Sequence, residues 1–355
     1  MINIKREGVI LEKTNLTFEN EGVMNPAVIA EGPVVHLFYR AVREGNHSTI
    51  GYCRLDGPLQ VVQRDKESFI HPEFEYESQG VEDPRIVKID GRYYMTYTAY
   101  DGTNAVGALT ISSDLKHFSK QGIITSQFTY AQFKDLLRSD GEHTDKYFRS
   151  YNKRESQTGS GKPVYLTDKN LVFFPRRIKG KLCFMHRIKP DIQLVRIDRL
   201  EELTYDFWVN YFLNFTSHIM FKPQYDHESS YIGAGCPPIE VAEGWLMIYH
   251  SVCDTPEGYV YTASAALLDL EDPQIEIARL PYPLFSPEMD YELNGVVNKV
   301  CFPTGAIVSD GRLYIYYGAA DKCIACASVD LSELVNELLS CKISPHIGKR
   351  HIFVL

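Results

Sequence analysis

The chain has 355 residues, of which 44% are apolar and 23% are charged, proportions typical of a globular protein with a large core. Its net charge of −9 lacks the basic excess that a nucleic-acid partner requires, so we expect a small polar or neutral substrate instead. No apolar run reaches the roughly 18 residues of a membrane span, and the first residues lack the apolar core of a signal peptide. We therefore expect no membrane association and a cytoplasmic location, or a periplasmic one if a leader has been removed.

A unit made of a turn, a glycine and an apolar strand recurs five times along the chain. Its glycines lie about 60 to 90 residues apart, and they are Gly32, Gly91, Gly180, Gly244 and Gly311. A second strand follows each first one, so every unit is at least a hairpin. Repeated antiparallel sheets of this length predict an all-β chain, a five-bladed β-propeller spanning residues 1–355 as a single domain. A β-sandwich is the alternative, although a sandwich does not need five similar units.

Helical insertions interrupt this pattern. Residues 127–167 form an insertion, with a predicted helix at 130–138 and a polar loop at 156–162. An insertion of this length is typical of a lid or an oligomer contact, so a homo-oligomer is possible. Aromatic residues at 200–215 predict a second helical segment, and residues 332–339 predict a C-terminal helix.

A polar residue follows the repeated strand of every unit, where a core residue would not be expected. These residues are Arg40, Asp101, His186 with Arg187, His250 and Asp321. The inner strands of a propeller converge on its axis, so the strand ends would bring these side chains into one pocket. Each of them alone could be a solvated strand end. Together, with nearby tyrosines, they predict a site that binds sugar hydroxyls, and the absence of His-x-His spacing predicts no metal.

Eleven short motifs carry a family resemblance. They are Asn25-Pro26-Ala27, Tyr39-Arg40-Ala41, Glu82-Asp83-Pro84-Arg85, Tyr97-Thr98-Ala99-Tyr100-Asp101, Phe174-Pro175-Arg176, His186-Arg187, Ile232-Gly233-Ala234-Gly235 with Pro237-Pro238, Tyr249-His250, Ala266-Leu267-Leu268-Asp269-Leu270, Phe302-Pro303-Thr304-Gly305 and Tyr317-Gly318-Ala319-Ala320-Asp321. In this order the chain resembles glycoside hydrolase family 130, the β-mannoside phosphorylases and β-mannosidases, and is most similar to the β-1,2-mannosidase branch. The resemblance implies a five-bladed propeller with an axial site that inverts the anomeric carbon of a β-mannoside.

The resemblance also implies roles for individual residues. Asp83 matches the catalytic acid, which in this family is thought to pass its proton through the 3-hydroxyl of the mannose. From the residues alone, Asp83 could equally be a turn aspartate before Pro84. The positions expected to bind the oligosaccharide substrate are Asn25, Arg40, Arg85, Tyr100, Asp101, Arg187, His250, Tyr261 and Asp321.

The nucleophile distinguishes two reactions. A phosphorylase needs a cationic phosphate site, and the matching positions are Arg176, Arg187, His250 and Tyr261. Tyr231 departs from this pattern, because phosphorylases commonly carry a lysine there. A hydrolase needs a carboxylate base that activates water, and the candidates are Glu228 and Glu257, which could otherwise be exposed loop residues.

The main prediction is therefore an inverting glycosidase that hydrolyses β-mannosidic bonds, expected to be β-1,2-linked, in manno-oligosaccharides. The alternative is a β-1,2-mannobiose or oligomannan phosphorylase that releases mannose 1-phosphate. A propeller that only binds glycan is a third possibility. No cofactor is expected in any of these, except inorganic phosphate as co-substrate of a phosphorylase.

Overall fold

A computed structural model describes residues 2–137, 145–148 and 163–341. The chain is mostly β, as predicted, and is built from antiparallel strands with a few short helices. Within the described ranges, no helix has the length and apolar character needed to cross a bilayer.

The first two units each contain four strands preceded by a single turn of 3₁₀ helix. After strand β1 (Lys5–Leu11) and the turn Thr17–Glu19, the first unit comprises β2 (Gly22–Glu31), β3 (Val34–Arg43), β4 (His47–Asp56) and β5 (Gln60–Arg64). After the turn Glu75–Glu77, the second comprises β6 (Gly80–Ile89), β7 (Arg92–Tyr100), β8 (Ala105–Ser112) and β9 (Phe118–Ile123). One parallel pair, Ser48 with Gly80, joins the two sheets.

The third unit lies between helical segments. Helices α1 (Tyr130–Leu137) and α2 (Asp145–Phe148) precede strands β10 (Lys169–Phe173), β11 (Leu182–Arg187), β12 (Ile192–Ile197) and β13 (Ile219–Phe221). Between the last two strands lie the turn Leu200–Glu202, helix α3 (Tyr205–Leu213) and the turn Phe215–His218, as the aromatic composition predicted. Helix α1 begins at the predicted residue, whereas the polar loop at 156–162 lies outside the described residues.

The fourth and fifth units complete the sequence of strands. The turn Asp226–Glu228 precedes β14 (Tyr231–Ala234), β15 (Ile239–Val241), β16 (Gly244–Thr255), β17 (Gly258–Leu268) and β18 (Glu276–Arg279). Helix α4 (Asp290–Leu293) precedes β19 (Cys301–Ser309), β20 (Arg312–Ala319) and β21 (Cys323–Asp330), and helix α5 (Leu331–Ser340) follows. The strand order of the final sheet is β1-β21-β20-β19, so β1 completes the fifth unit from the other end of the chain.

Hairpin turns carry the five glycines of the predicted repeat. All five have positive φ, from 62° at Gly32 to 151° at Gly244, the conformation that glycine adopts without a steric penalty. The apolar cores lie between neighbouring units: first with second, second with third, third with fourth, and fourth with fifth. A further core joins the fifth unit to the first, with Leu11 and Tyr316 packed among residues of β2, β3 and β4.

A fully buried carboxylate precedes the first strand of every unit. These carboxylates are Glu19, Glu77, Asp168, Glu228 and Glu292. In four units a tyrosine from a central strand donates to the carboxylate, and the tyrosines are Tyr39, Tyr97, Tyr249 and Tyr317. The outer strand of the same units supplies a cation, and the cations are Arg64, Lys120, Arg279 and Arg6. In the third unit His186 bonds to Asp168 instead, at 2.8 Å. Buried charges need such partners, so removal of one member of a group would leave the others without compensation and destabilise that unit.

Candidate active site

A pocket of about 280 Å³ receives side chains from all five units. Its lining residues are Asn25, Arg40, Asp83, Thr167, Lys169, Asn170, Arg187, Lys189, Tyr231, Tyr261, Val297, Val300, Phe302 and Asp321. Six of the predicted site residues are among them, namely Asn25, Arg40, Asp83, Arg187, Tyr261 and Asp321.

Bulges in the first strands of the units bring the polar side chains into the pocket. The register of β2 against β3 shifts between Met24 and Ala27, and that of β6 against β7 shifts between Glu82 and Arg85. Asn25 and Asp83 sit in these bulges at φ of 49° and 50°. A bulge re-aims a side chain, and the proline that follows each residue has no N–H that the ladder would lose.

Two further pocket residues share this left-handed backbone. Asn170 lies in a third bulge, in β10, at φ of 58°, and Asp321 lies at 50° in the loop between β20 and β21. Asparagine and aspartate tolerate this conformation better than other residues with a Cβ. Backbone strain of this kind is frequent at functional sites, and four of the described non-glycine residues with positive φ line this pocket.

Asp83 is held by neutral and cationic donors. Asn25 Nδ2 donates to Asp83 Oδ1 at 2.7 Å, and Arg40 Nη1 lies 3.6 Å from the same oxygen. Burial acts to raise the pKa of Asp83, but the charges of Arg40 and Lys169 and the Asn25 hydrogen bond outweigh it, so the pKa lies below its usual value. The carboxyl is therefore ionised at neutral pH before substrate binds.

Asp321 has the opposite behaviour. Burial, opposed by the charge of Arg40 and reinforced by the charge of Asp83, raises the pKa of Asp321 to about 6. The two pocket aspartates thus differ in their affinity for a proton, a separation that enzymes use to assign acid and base roles.

A second group in the pocket is basic and aromatic. Arg187 Nη1 donates to His250 Nε2 at 3.0 Å, and since a guanidinium can only donate, this nitrogen of His250 accepts. Burial and the charge of Arg187 hold the pKa of His250 well below its usual value, so the ring is neutral. The hydroxyls of Tyr231 and Tyr261 share a hydrogen bond of 2.5 Å beside them.

The two glutamates predicted as bases do not line the pocket. Glu228 is fully buried beneath β14, where Tyr249 and Arg279 occupy its oxygens. Glu257 lies at the tip of the hairpin between β16 and β17 with its side chain 69% exposed, 4.0 Å from Lys299. A catalytic base must lie in the pocket, within reach of the attacking water. Neither glutamate does, so the predicted base role does not fit where the structure places them.

Arg176 also lies elsewhere. Its guanidinium pairs with Glu240 at 2.8 Å and with Glu271 at 3.4 Å, and it covers the ring of Trp245. Arg176, predicted to contact phosphate, therefore belongs to a partly exposed ion-pair cluster and does not line the pocket.

Arg85, Tyr100 and Asp101, predicted to bind substrate, instead support the surrounding backbone. Arg85 is buried and donates to the carbonyls of Gly235, at 2.6 Å, and of Asp83, at 3.0 Å. Tyr100 donates to the Gly102 carbonyl, and Asp101 accepts from backbone N–H groups of its own turn. His250 does not line the pocket but contacts it through Arg187.

Sequence reasoning missed several lining residues, chiefly Lys169, Asn170, Lys189 and Phe302. A signal for Asn170 existed, because it occupies the same place in the third unit as Asn25 in the first and Asp83 in the second. Lys189 follows His186-Arg187 by two residues, beyond the end of β11, where strand patterns carry no information about direction.

Comparison with known proteins gives a consistent relationship. The family model for glycoside hydrolase family 130, described as beta-1,4-mannooligosaccharide phosphorylase, matches residues 4–339. A 1,2-beta-oligomannan phosphorylase of Thermoanaerobacter sp. (strain X514) is 30% identical over 347 residues, which cover 94% of this chain and 99% of the relative. A beta-1,2-mannobiose phosphorylase of the same organism is 32% identical over 329 residues, which cover 88% of this chain and 91% of the relative.

A solved structure shares the fold. The beta-1,2-mannobiose phosphorylase from Listeria innocua, in complex with beta-1,2-mannobiose, superimposes with a TM-score of 0.71 at 23% sequence identity. The match covers 95% of this chain and 99% of that one.

Proposed function

Because the chain belongs to glycoside hydrolase family 130, we propose that it is an inverting phosphorylase of β-mannosides, with β-1,2-linked manno-oligosaccharides as substrates and inorganic phosphate as the second substrate. Phosphorolysis, which was the alternative from the sequence, thus replaces hydrolysis as the proposed reaction. The matched relatives are named phosphorylases, and both glutamates offered as hydrolytic bases lie outside the pocket lining.

The observation that carries the proposal is the composition of the pocket. One part holds Asp83 with its donors Asn25 and Arg40, and another holds Arg187, Lys189 and two tyrosine hydroxyls. Phosphate binding calls for cationic and hydroxyl donors, whereas activation of water calls for a carboxylate at a distance that leaves room for it. The part of the pocket that holds Arg187, Lys189 and the tyrosines supplies the cationic and hydroxyl donors that phosphate needs.

The reaction follows from these two groups. A phosphate oxygen attacks the anomeric carbon as the bond to the leaving sugar breaks, and the proton held by Asp83 reaches the leaving oxygen through the mannose 3-hydroxyl. The products are mannose 1-phosphate of inverted configuration and an oligosaccharide one residue shorter. A bound phosphate dianion places negative charge near Asp83, which raises its pKa and favours the protonated form that an acid needs.

The same proposal includes a five-bladed propeller. Five units of four or five strands follow in order, a core lies between each consecutive pair, and a fifth core joins the last unit to the first. Strand β1 from the N-terminal end completes the sheet of the fifth unit. A ring of blades accounts for these contacts and forms a single catalytic domain over residues 1–355 with the 127–167 insertion. It would bring the bulges of the first three units and the loop that carries Asp321 to one axis.

A cytoplasmic location suits this reaction, because phosphorolysis conserves the energy of the glycosidic bond as a sugar phosphate that the cell can use. The oligomeric state is a separate expectation, which the insertion at 127–167 motivates.

The test is incubation of the purified protein with β-1,2-mannobiose, with and without phosphate. We expect mannose 1-phosphate and mannose in equal amounts with phosphate, and no turnover without it. Release of free mannose at the same rate in both samples would establish hydrolysis and overturn the proposal. No product in either sample, together with measurable sugar binding, would indicate a glycan-binding propeller.

A further inference from the structure

We infer that Lys189 takes part in binding the phosphate. It supplies the positive charge that is missing from the site because Tyr231 stands where phosphorylases commonly carry a lysine. This inference rests on the proposed phosphorylase activity and assigns a residue that the sequence motifs do not identify. Lys189 lies beyond the end of β11 in the third unit, and Tyr231 begins β14 in the fourth. Both residues line the pocket.

Two cations approach the ring of Tyr231. The ammonium of Lys189 lies 3.6 Å from the ring centroid, and the guanidinium carbon of Arg187 lies 5.2 Å from it. The ring face attracts cations through its quadrupole, so the tyrosine directs the lysine into the pocket although it carries no charge itself. A lysine at position 231 would place its charge in this same region.

The positive charges here favour an anionic ligand. Arg187 is only 6% exposed, and its Nε is buried without a hydrogen-bond partner among the residues that the structure describes. Burial lowers the pKa of Arg187, as expected for a guanidinium removed from water. Like charges on one ring repel each other at short range, and a phosphate dianion between them would offset both this repulsion and the desolvation of Arg187.

The hydroxyls of the neighbouring tyrosines complete the site. Tyr231 and Tyr261 share a hydrogen bond of 2.5 Å, so one hydroxyl donates and the other accepts while keeping its own O–H as a donor. The O–H of the accepting tyrosine can point at a phosphate oxygen. Lys189, Arg187 and this hydroxyl would then provide three kinds of donor to the three phosphate oxygens that do not attack the sugar.

The test compares Lys189→Met with wild type in phosphorolysis of β-1,2-mannobiose, with phosphate and sugar varied separately. Loss of a charge-assisted hydrogen bond predicts a KM for phosphate that rises about 10- to 100-fold. The KM for mannobiose should change less than twofold. Lys189→Arg, which keeps the charge, should recover most of the phosphate affinity.

Lys299→Met is the matched control. Lys299 adjoins the lining residue Val300 but faces Glu257 at the hairpin tip, so its removal changes the local charge equally without touching the pocket. We expect an unchanged KM for phosphate in this variant. Equal effects of the two substitutions would indicate a general field effect and overturn the inference.

Stabilisation by phosphate gives a second readout. Phosphate should raise the melting temperature of wild type and of Lys299→Met, but much less that of Lys189→Met, while all three melt alike without phosphate. A phosphate-dependent wild type whose Lys189→Met variant keeps its phosphate KM and its thermal shift overturns this inference alone. A wild type that releases mannose without phosphate overturns the proposed function as well.

Discussion

Tyr249 donates its hydroxyl proton to Glu228 at 2.5 Å, and both side chains are fully buried. The other oxygen of Glu228 accepts from the backbone N–H of Gln224 at 2.6 Å and of Tyr225 at 3.1 Å, and Arg279 lies 3.0 Å away. These donors leave the carboxylate no access to a water molecule that could attack a sugar. Glu228 is therefore a structural residue, equivalent to Glu19, Glu77 and Glu292 in other units.

Glu228→Gln should destabilise the protein without removing catalysis. Loss of the carboxylate weakens the charge-assisted hydrogen bonds from Tyr249 and Arg279, although Arg279 keeps its second partner Glu276, and this costs roughly 2 kcal/mol of unfolding free energy. Urea denaturation measures this loss, and turnover per folded molecule should match wild type. Glu292→Gln, in the equivalent place of the fifth unit, should lose a similar amount, and Glu257→Gln at the exposed hairpin tip should lose nothing. A Glu228→Gln protein of normal stability with no turnover would restore the glutamate as a catalytic candidate.

Asp83→Asn should abolish most turnover while it preserves sugar binding. Positioned acid catalysis contributes about 10²- to 10⁴-fold in rate, and the amide cannot supply the proton. Asparagine also tolerates the φ of 50° at this bulge, so the backbone should not change, whereas alanine would add strain. Steady-state kinetics gives the fall in kcat, and calorimetry with mannobiose gives the affinity. A loss of affinity equal to the loss of rate would mean that Asp83 binds substrate rather than transferring a proton.

The two arginines predicted to bind phosphate should respond differently to substitution. Arg176→Met removes a partly exposed ion-pair cluster with Glu240 and Glu271, so stability should fall by about 1 kcal/mol at most, and the KM for phosphate should not change. Arg187→Met removes a buried guanidinium that lines the pocket, and the KM for phosphate should rise by about 100-fold or more. A larger effect of Arg176→Met on phosphate would contradict the placement of the two side chains.

Local sequence rules accounted for the repeat but not for much of the pocket. A glycine such as Gly91 predicts a tight turn from the sequence, because the conformation of a tight turn depends mainly on residues adjacent in the chain. The burial of Glu228 depends on Tyr249 and Arg279, which are distant in sequence, so a loop glutamate and a core glutamate look alike beforehand. Strand ends were an incomplete guide for the same reason. Arg40, Arg187 and Asp321 line the pocket as expected, but Asp101 caps its own turn, and Asp83 reaches the pocket from a bulge inside a strand.

Asp321→Asn should make the protein more stable at alkaline pH. The folded-state pKa of Asp321 is about 6, above the ordinary value of 3.8, so below about pH 4 the residue is protonated in both states and costs nothing. As the pH rises from about 4 to 6, the unfolded chain releases this proton while the folded protein keeps it, so the penalty grows, and above pH 6 it stays constant at about 3 kcal/mol at most. Asparagine avoids this penalty and also accepts the φ of 50°.

The stability gain from Asp321→Asn should therefore increase by about 1 kcal/mol between pH 5 and pH 8, as measured by urea denaturation of both proteins at each pH. Asp83→Asn is the matched comparison, because the pKa of Asp83 is lowered rather than raised. Its ionised form stabilises the fold, and this contribution is present at neutral pH and lost only in acid, so that variant should be less stable than wild type at pH 8. A gain for Asp321→Asn that stays constant with pH would show that the carboxyl of Asp321 ionises as readily in the pocket as in the unfolded chain.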